Sequence, residues 1–377
     1  MSGPFVSVLI PAYNSEDTLA AAVESCLDDT AAREIIIVDD CSTDSTGSIA
    51  DSLAGRNPGR VRVIHHSENM QLLEARRTGV NAATQKYVTF LDADDTLSPG
   101  YCSSALAAIE ETGSDILALP IEITYKPGDT PTKDEKRNRA ASFKLIDSVK
   151  HDEDIVHFVF SPNRGVSWNV CSKLYRRELL EKSYNLIPSQ RLFMGEDAYI
   201  NFVAMTQAHL MVSNSELPSY RYDASGETST SRKYSAIKFH TICQGSLVWK
   251  GIGQYLQSQG ISEKYKGDLE WLRFCILGDA ANRYPNLVTD GEQPAAFDAL
   301  LEQWPLHSAV AALALFHWNS APQTLRPALE SRTASSSTHP GNRLSIALFP
   351  SARKDTECCL ALAAAVDSWA SLGAQIT

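Results

Sequence analysis

Four short apolar segments alternate with helix-length segments at the start of the chain, and this alternation limits the possible folds more than any other feature. The apolar segments are residues 5–10, 34–38, 61–65 and 87–91, and they are rich in β-branched side chains. Strands that alternate with helices form right-handed crossovers, so neighbouring strands run parallel in one sheet. The sequence therefore predicts an α/β, Rossmann-like fold with a mainly parallel sheet.

Polar side chains follow each of these strands, and the crossovers bring all four strand ends to one edge of the sheet. In open α/β sheets, ligands bind outside the carboxyl ends of the strands. We therefore expect a ligand site built from side chains at this edge, which are Pro11, Tyr13, Asn14, Asp39, Asp40, Asn69, Arg76, Asp92 and Asp94.

The fourth strand ends in a group of three carboxylates, Asp92, Asp94 and Asp95. Carboxylates this close repel one another unless a cation or hydrogen-bond donors lie between them, and oxygen ligands suit Mg²⁺ or Mn²⁺. The natural partner of such a metal is a phosphate. The alternative is that the acids only form the turn before the next helix, because the residues from Asp95 to Gly100 are turn formers.

Glycine-rich phosphate-binding motifs are missing from the expected places. The first strand is not followed by G-x-G-x-x-G, and G-x-x-x-x-G-K-[ST] occurs nowhere in the chain. A bound pyrophosphate would then lack the usual glycine cradle. A metal ion is therefore the better counter-charge.

Composition excludes several classes of protein. A formal net charge of −11 argues against a general nucleic-acid-binding protein, which needs a basic face. The eight cysteines are scattered without a C-x-x-C pair, which favours a reducing cytoplasm over a disulfide scaffold. The N-terminus has no basic signal-peptide region and no segment is apolar over a membrane-spanning length, so we expect a soluble or peripheral protein.

Two segments in the second half of the domain carry further candidate residues. Trp168 and Lys173 lie in an aromatic and basic segment that could line a sugar or phosphate acceptor pocket, although a packed Trp beside a solvated basic face is an equal alternative. Glu196 and Asp197 begin a helical segment. Their simplest explanation is the helix dipole, which favours acids in a first turn by roughly 0.3–1 kcal/mol.

The pattern of elements divides the chain into four parts. Residues 1–232 form the α/β domain, in which residues 115–125 are expected to be one strand and residues 126–139 a mobile surface loop. Residues 233–332 read as a helical appendage with a core of aromatic side chains. A Ser/Thr/Pro/Gly-rich linker, residues 333–342, precedes a strand and a helix in residues 343–377, which we interpret as the start of a further, incomplete α/β domain.

Over about residues 5–230 the sequence resembles the family-2 inverting glycosyltransferases of the GT-A fold. The resemblance rests on four motifs in order: SVLIPAYN at residues 7–14, IVDDCSTD at 37–44, Asn69 with AR at 75–76 and Gly79, and LDADD at 91–95. Two departures stand out. Asn69-Met70-Gln71 replaces an Asn-x-Gly pattern, and Asp223 stands where the family has Arg, so Arg221 is the substitute that could supply charge to a diphosphate.

The resemblance implies a role for each matching residue. Asp197 would be the general base, Asp94 with Asp92 would bind Mn²⁺ or Mg²⁺, and Trp168 and Lys173 would lie on the acceptor side. The nucleotide sugar would be bound by Pro11, Tyr13, Asn14, Asp40, Asn69, Arg76, Asp92, Ala93, Glu196 and Arg221.

The implied reaction moves a hexosyl or N-acetylhexosaminyl group from a nucleoside-diphosphate sugar, with a UDP-sugar as the favoured donor. The acceptor would be a hydroxyl group of a surface or capsular polysaccharide or of a polyol phosphate. The expected location is the cytoplasm, with attachment to membrane assembly machinery left open. One alternative is a sugar nucleotidyltransferase, but residues 11–14 are neither glycine-rich nor basic. The other is an inactive carbohydrate-binding module, and the intact Asp92, Asp94 and Asp197 argue against it.

Overall fold

The computed structural model describes residues 3–126, 128–192, 194–225, 235–289, 291–305, 308–309 and 312–313. Tertiary contacts divide this part of the chain into two units. The first unit contains the described residues up to 225 together with Gly251–Asp268, and the second contains the described residues 235–250 and those from Leu269 onward. The expected linker 333–342 and the segment 343–377 lie outside the described residues.

The first unit is built on strands that form two sheets. In chain order the strands are β1 (Val6–Ala12), β2 (Ala32–Asp39), β3 (Val61–His65), β4 (Tyr87–Phe90), β5 (Thr96–Leu97), β6 (Ile116–Ala118), β7 (Ile121–Thr124), β8 (Ser148–His151), β9 (Lys173–Arg176), β10 (Leu210–Ser213) and β11 (Tyr220–Asp223). The larger sheet has the order β3-β2-β1-β4-β9-β6-β10-β8, and the smaller has the order β5-β11-β7. The pairs among β1 to β4 are all parallel, so the predicted parallel sheet is confirmed. Strand β9 runs antiparallel to both β4 and β6.

The order of the central strands creates the place for a site. Strand β1 lies between β2 and β4. The chain adds β2 and β3 on one side of β1 and then adds β4 on its other side, so the strand order reverses at β1. Such a switch point leaves a crevice at the carboxyl ends of the two diverging strands. All seven residues of β1 and all four of β4 are buried, which explains their apolar character.

The described helices follow the same order along the chain. They are α1 (Leu19–Leu27), α2 (Thr46–Arg56), α3 (Gln71–Ala82), α4 (Tyr101–Thr112), α5 (Lys133–Ser142), α6 (Glu153–Val159), α7 (Arg177–Leu186), α8 (Glu196–Met205), α9 (Ala236–Cys243), α10 (Ser246–Ser258), α11 (Lys266–Leu287) and α12 (Gln293–Gln303). Helix α3 packs closely on β1, because a Cβ at Gly79 would lie 3.3 Å from Leu9 Cδ1. None of the helices in the described ranges combines the length and apolarity needed to cross a bilayer.

The described part of the second unit is helical, and aromatic side chains pack in its interior. Phe239, Tyr284 and Phe297 are buried and their rings are adjacent, with centroids 5.8 and 6.2 Å apart. Trp249 stacks on the buried Trp304. These aromatic side chains therefore serve packing within the unit.

Three local predictions were wrong. The expected strand 115–125 breaks into β6 and β7 at Leu119 and Pro120, because proline cannot donate to a sheet ladder. The expected loop 126–139 contains helix α5, which a capping box between Thr132 and Glu135 begins. The helical pattern of residues 16–27 predicts an N-cap at Ser15, but helix α1 begins at Leu19 and its N-cap is Thr18.

Candidate active site

A cleft of about 610 Å³ opens at the carboxyl ends of β1 and β4. Six of the residues that the sequence analysis assigned to donor or metal binding line it. Its described lining is Pro11, Tyr13, Asn14, Ser15, Glu16, Asp17, Thr18, Asp44, Leu72, Asp92, Ala93 and Asp94. The cleft thus occupies the crevice that the strand order creates, and carboxylates dominate one of its walls.

Arg76 is the buried centre of the charged groups beside this cleft. Its side chain is 1% exposed, and Nη2 donates to Asp92 Oδ1 at 2.9 Å. Nη1 donates to Asp197 Oδ1 and lies 3.4 Å from Glu196 Oε1. Burial alone would lower the pKa of Arg76, but the charges of Asp197 and Asp92 raise it well above its ordinary value. Arg76 therefore stays charged and connects the acid that ends β4 to the two acids that begin α8.

The start of α8 presents Asp197 at a defined orientation. Gly195 precedes the helix with a φ of 86°, a conformation that glycine adopts without strain. One carboxylate oxygen of Asp197 accepts a hydrogen bond from Arg76, and the other accepts one from the Val170 N–H at 3.3 Å. The side chain keeps 25% exposure. Asp197 is thus held on two sides while part of it remains open to a reactant.

The three acids after β4 lie in two different surroundings. Asp95 is 3% exposed and accepts hydrogen bonds from Tyr220 Oη at 2.5 Å and from the Asp223 N–H at 2.7 Å, so it joins the two sheets. Asp92 and Asp94 face the cleft. Partial removal from water, followed by the charge of Asp92, raises the pKa of Asp94 to about 6. This crowding of negative charge is what a bound cation would relieve.

The residues present fit a divalent cation. No group of three or more His, Cys, Asp or Glu side chains in the described ranges could hold a metal ion. Mg²⁺ and similar ions, however, are commonly held by one or two carboxylates together with substrate phosphates. Asp92 and Asp94 are two carboxylates of this kind on the cleft wall, and they are the residues that could hold such an ion.

Asp40 and Asn69, assigned to nucleotide binding by resemblance, hold the start of α3. Asp40 is 3% exposed, and its two oxygens accept the N–H groups of Met70 and Gln71, both at 2.8 Å. The ring of His66 also contacts it at 2.7 Å. Asn69 Oδ1 accepts the side-chain amide of Gln71 at 2.6 Å. Asp40 is therefore buried and hydrogen-bonded to the start of α3, and it is not among the described residues that line the cleft.

Three other predicted residues are placed outside the described lining of the cleft. Lys173 is fully buried, so its ammonium does not reach an acceptor surface. Trp168 stacks on Phe160 with centroids 5.9 Å apart. Arg221 forms an exposed ion pair with Glu122 at 3.0 Å.

Three further residues shape the site and were not predicted from the sequence. Tyr220 Oη accepts the Asp92 N–H at 3.2 Å, and Cys171 Sγ lies 3.4 Å from Asp92 Oδ2. Asn201 holds the segment before β9 through the carbonyl of Trp168 at 2.7 Å. The one available signal was the spacing between Asp197 and Asn201, because residues four apart share a helix face.

Glu196 should make stability depend on pH. Burial, then the charge of Asp197, raises the pKa of Glu196 to about 8. The folded state then keeps a proton that the unfolded chain releases near pH 4.3, so stability falls as pH rises from about 5 to 8. Glutamine cannot titrate. The Tm of wild type should therefore fall, relative to that of Glu196→Gln, as pH rises from about 5 to 8. The difference should grow by roughly 2–4 °C for each kcal/mol of unfolding free energy that wild type loses.

Scanning fluorimetry in metal-free buffer measures this difference. The matched control is Glu178→Gln, an exposed acid in the first turn of α7. A Tm difference for Glu196→Gln that stays constant from pH 5 to pH 8 would contradict the prediction.

Comparison with known proteins agrees with this geometry. The sequence model described as "Glycosyl transferase family 2" matches residues 7–182. The putative glycosyltransferase EpsH of Bacillus subtilis is 30% identical over 279 residues, which are 72% of this chain and 74% of EpsH. The uncharacterized glycosyltransferase EpsJ of the same organism is 31% identical over 211 residues, 54% of this chain; the match spans only 57% of EpsJ.

Solved structures show the same fold. The crystal structure of Staphylococcus aureus TarS 1–349 aligns with a TM-score of 0.56 at 20% identity, covering 90% of this chain and 94% of TarS 1–349. Its complex with UDP-GlcNAc aligns with a TM-score of 0.52 at 19% identity, covering 98% and 92%. The fold is thus that of a GT-A glycosyltransferase. The chain belongs to glycosyl transferase family 2.

Proposed function

We propose that this protein is a metal-dependent inverting glycosyltransferase that moves a sugar from a UDP-sugar to a hydroxyl group of a surface polysaccharide or a similar acceptor. One observation carries the proposal. Asp92, which lines the cleft beside Asp94, is connected through buried Arg76 to another partly exposed carboxylate, Asp197. Arg76 thus links the proposed base, Asp197, to Asp92 of the proposed donor site.

Asp197 is the general base of the proposed reaction. Its carboxylate takes the proton of the acceptor hydroxyl as that oxygen attacks the anomeric carbon in line with the departing diphosphate, which inverts the configuration. One carboxylate suffices for inversion, whereas a retaining double displacement needs a separate nucleophile. Arg76 and the Val170 N–H orient Asp197 for this step. Arg76, being buried, acts on the base instead of neutralising the nucleotide.

Asp92 and Asp94 would hold the Mn²⁺ or Mg²⁺ ion. When bound, such an ion stabilises negative charge on phosphate oxygens. The Tyr220 hydroxyl, which accepts the Asp92 N–H, and the Cys171 thiol, which contacts Asp92 Oδ2, hold Asp92 in place. The complex of TarS with UDP-GlcNAc, a protein of the same fold, supports a UDP-sugar as the donor.

Binding of nucleoside diphosphates tests the proposal. With Mn²⁺ present, UDP at a hundred times its Kd should stabilise the protein by about 2.7 kcal/mol. Without Mn²⁺ the shift in Tm should be much smaller, because two carboxylates then face the diphosphate unscreened. Scanning fluorimetry with UDP, GDP and ADP, each with Mn²⁺ or with EDTA, measures both effects. If no nucleoside diphosphate gives a metal-dependent shift, the proposed function is wrong.

A further inference from the structure

Lys173, the first residue of β9, is a lysine with no exposed surface. Its Nζ donates to Ser167 O at 3.0 Å, to Asn169 O and to Asn169 Oδ1 at 3.1 Å. In the part of the chain that the structure describes, all of its hydrogen-bond partners are neutral oxygens. Burying an ammonium costs free energy unless its donors are satisfied. These three oxygens satisfy the donors of Lys173, and all of them belong to the segment before β9.

A second buried side chain holds the same segment. Asn201 is 1% exposed, and its Nδ2 donates to Trp168 O at 2.7 Å and to Asn169 O at 3.0 Å. The hydroxyl of Tyr175 donates to Asn201 Oδ1 at 2.8 Å, which sets the orientation of the amide. Lys173 and Asn201 together bind the main chain of residues 167–169, and we call this arrangement the loop clamp.

The segment held by the loop clamp leads directly to the proposed reacting groups. Immediately after Asn169, the Val170 N–H donates to Asp197 Oδ2 at 3.3 Å. The next residue, Cys171, places its thiol 3.4 Å from Asp92 Oδ2. Asn201 lies one turn after Asp197 on α8, so one helix face carries both the base and half of the clamp.

We infer that Lys173 is a positioning residue for the base: through the loop clamp it fixes the Val170 N–H against Asp197 and so sets the direction of the carboxylate oxygen that receives the proton. This inference rests on the proposed function of Asp197. Lys173 touches neither donor nor acceptor. Its effect should therefore appear in turnover and not in donor binding.

Two clamp variants and one control test the inference. Lys173→Met keeps an unbranched side chain but removes the donors, and Asn201→Leu removes the amide at similar volume. Both should lower kcat by about 10- to 100-fold, because a displacement of about 1 Å near the chemistry has an effect of this size. The donor KM should stay within about threefold. The control is Thr89→Val, which removes the bond from Thr89 Oγ1 to Lys173 O (2.9 Å) and leaves the clamp intact.

Hydrogen exchange measured by mass spectrometry gives a readout that does not need activity. Exchange of residues 167–171 should accelerate in both clamp variants and stay at the wild-type rate in Thr89→Val. The stoichiometry of UDP binding, measured by calorimetry with Mn²⁺, corrects kcat for any unfolded fraction, so a poorly folding variant is recognised.

Three outcomes would overturn the inference. They are unchanged exchange in Lys173→Met, wild-type turnover in both clamp variants, and an equal loss of turnover in Thr89→Val. An inactive wild-type chain would instead overturn the proposed function and the catalytic part of this inference with it, while the exchange measurement would still decide whether Lys173 holds the loop.

Discussion

We expect the Asp94→Asn variant to lose transfer activity by at least about 10²- to 10³-fold, since a metal ion at the departing diphosphate would supply several kcal/mol of charge stabilisation. Asp94 faces the cleft beside Asp92, and the protein around it and the charge of Asp92 raise its pKa to about 6. An amide at this position is neutral and a weaker metal ligand. The remaining carboxylate of Asp92 is already bound to Arg76.

The measurement is the initial rate of sugar transfer or of donor hydrolysis as a function of Mn²⁺ concentration. UDP binding should also lose its dependence on Mn²⁺ in the variant. Asp28→Asn, which changes an exposed acid after the end of α1, is the matched control and should leave both unchanged. Full activity of the wild-type protein in EDTA would disprove the role of Asp94.

The second large effect is expected from Asp197→Asn. Loss of the base should lower turnover by about 10²- to 10⁴-fold, because proton abstraction is needed only in the transition state. Asparagine keeps the shape of the side chain and can still accept a hydrogen bond from Arg76. Donor binding at Asp92 and Asp94 should therefore remain nearly at the wild-type level.

A purely structural role of Asp197 predicts a different result. An acid that only favours the helix dipole contributes roughly 0.3–1 kcal/mol to stability and nothing to turnover. Glu178→Gln, the acid in the first turn of α7, shows what the loss of such a charge does by itself. Turnover per folded molecule of Asp197→Asn within about twofold of wild type, with a Tm shift larger than that of Glu178→Gln because Arg76 loses a charged partner, would favour the structural role.

Burial gives Arg76 partners within the protein, while its predicted role in nucleotide binding stays a prediction. Resemblance assigned Arg76 to the nucleotide, and in the structure its guanidinium is bonded to the side chains of Asp92, Glu196 and Asp197. Removing one partner of a buried charge group leaves the others uncompensated, at a cost of about 3–5 kcal/mol. Arg76 is therefore committed to holding the acids, and a diphosphate would depend on the cleft carboxylates with a metal for its counter-charge.

The sequence by itself determined the elements whose signals are local. Apolar β-branched segments that alternate with helices were enough to predict four parallel strands, and their order along the chain placed Pro11, Asn14, Asp92 and Asp94 at one edge. The helix that begins at Glu196 was also predicted. Even the helix α5, which was missed, had a local signal in Thr132 and Glu135.

Only the tertiary structure decided which side chains meet across long separations. Strand β9 inserts antiparallel between β4 and β6, and this insertion turns Lys173 into the interior, although its sequence neighbours suggested an exposed basic face. Arg76 and Asp197 are 121 positions apart in the chain, yet they share a hydrogen bond. A local pattern specifies that a strand ends in an acid. The partner of that acid depends on which strand lies beside it, and the strand order is determined by how the whole sheet packs.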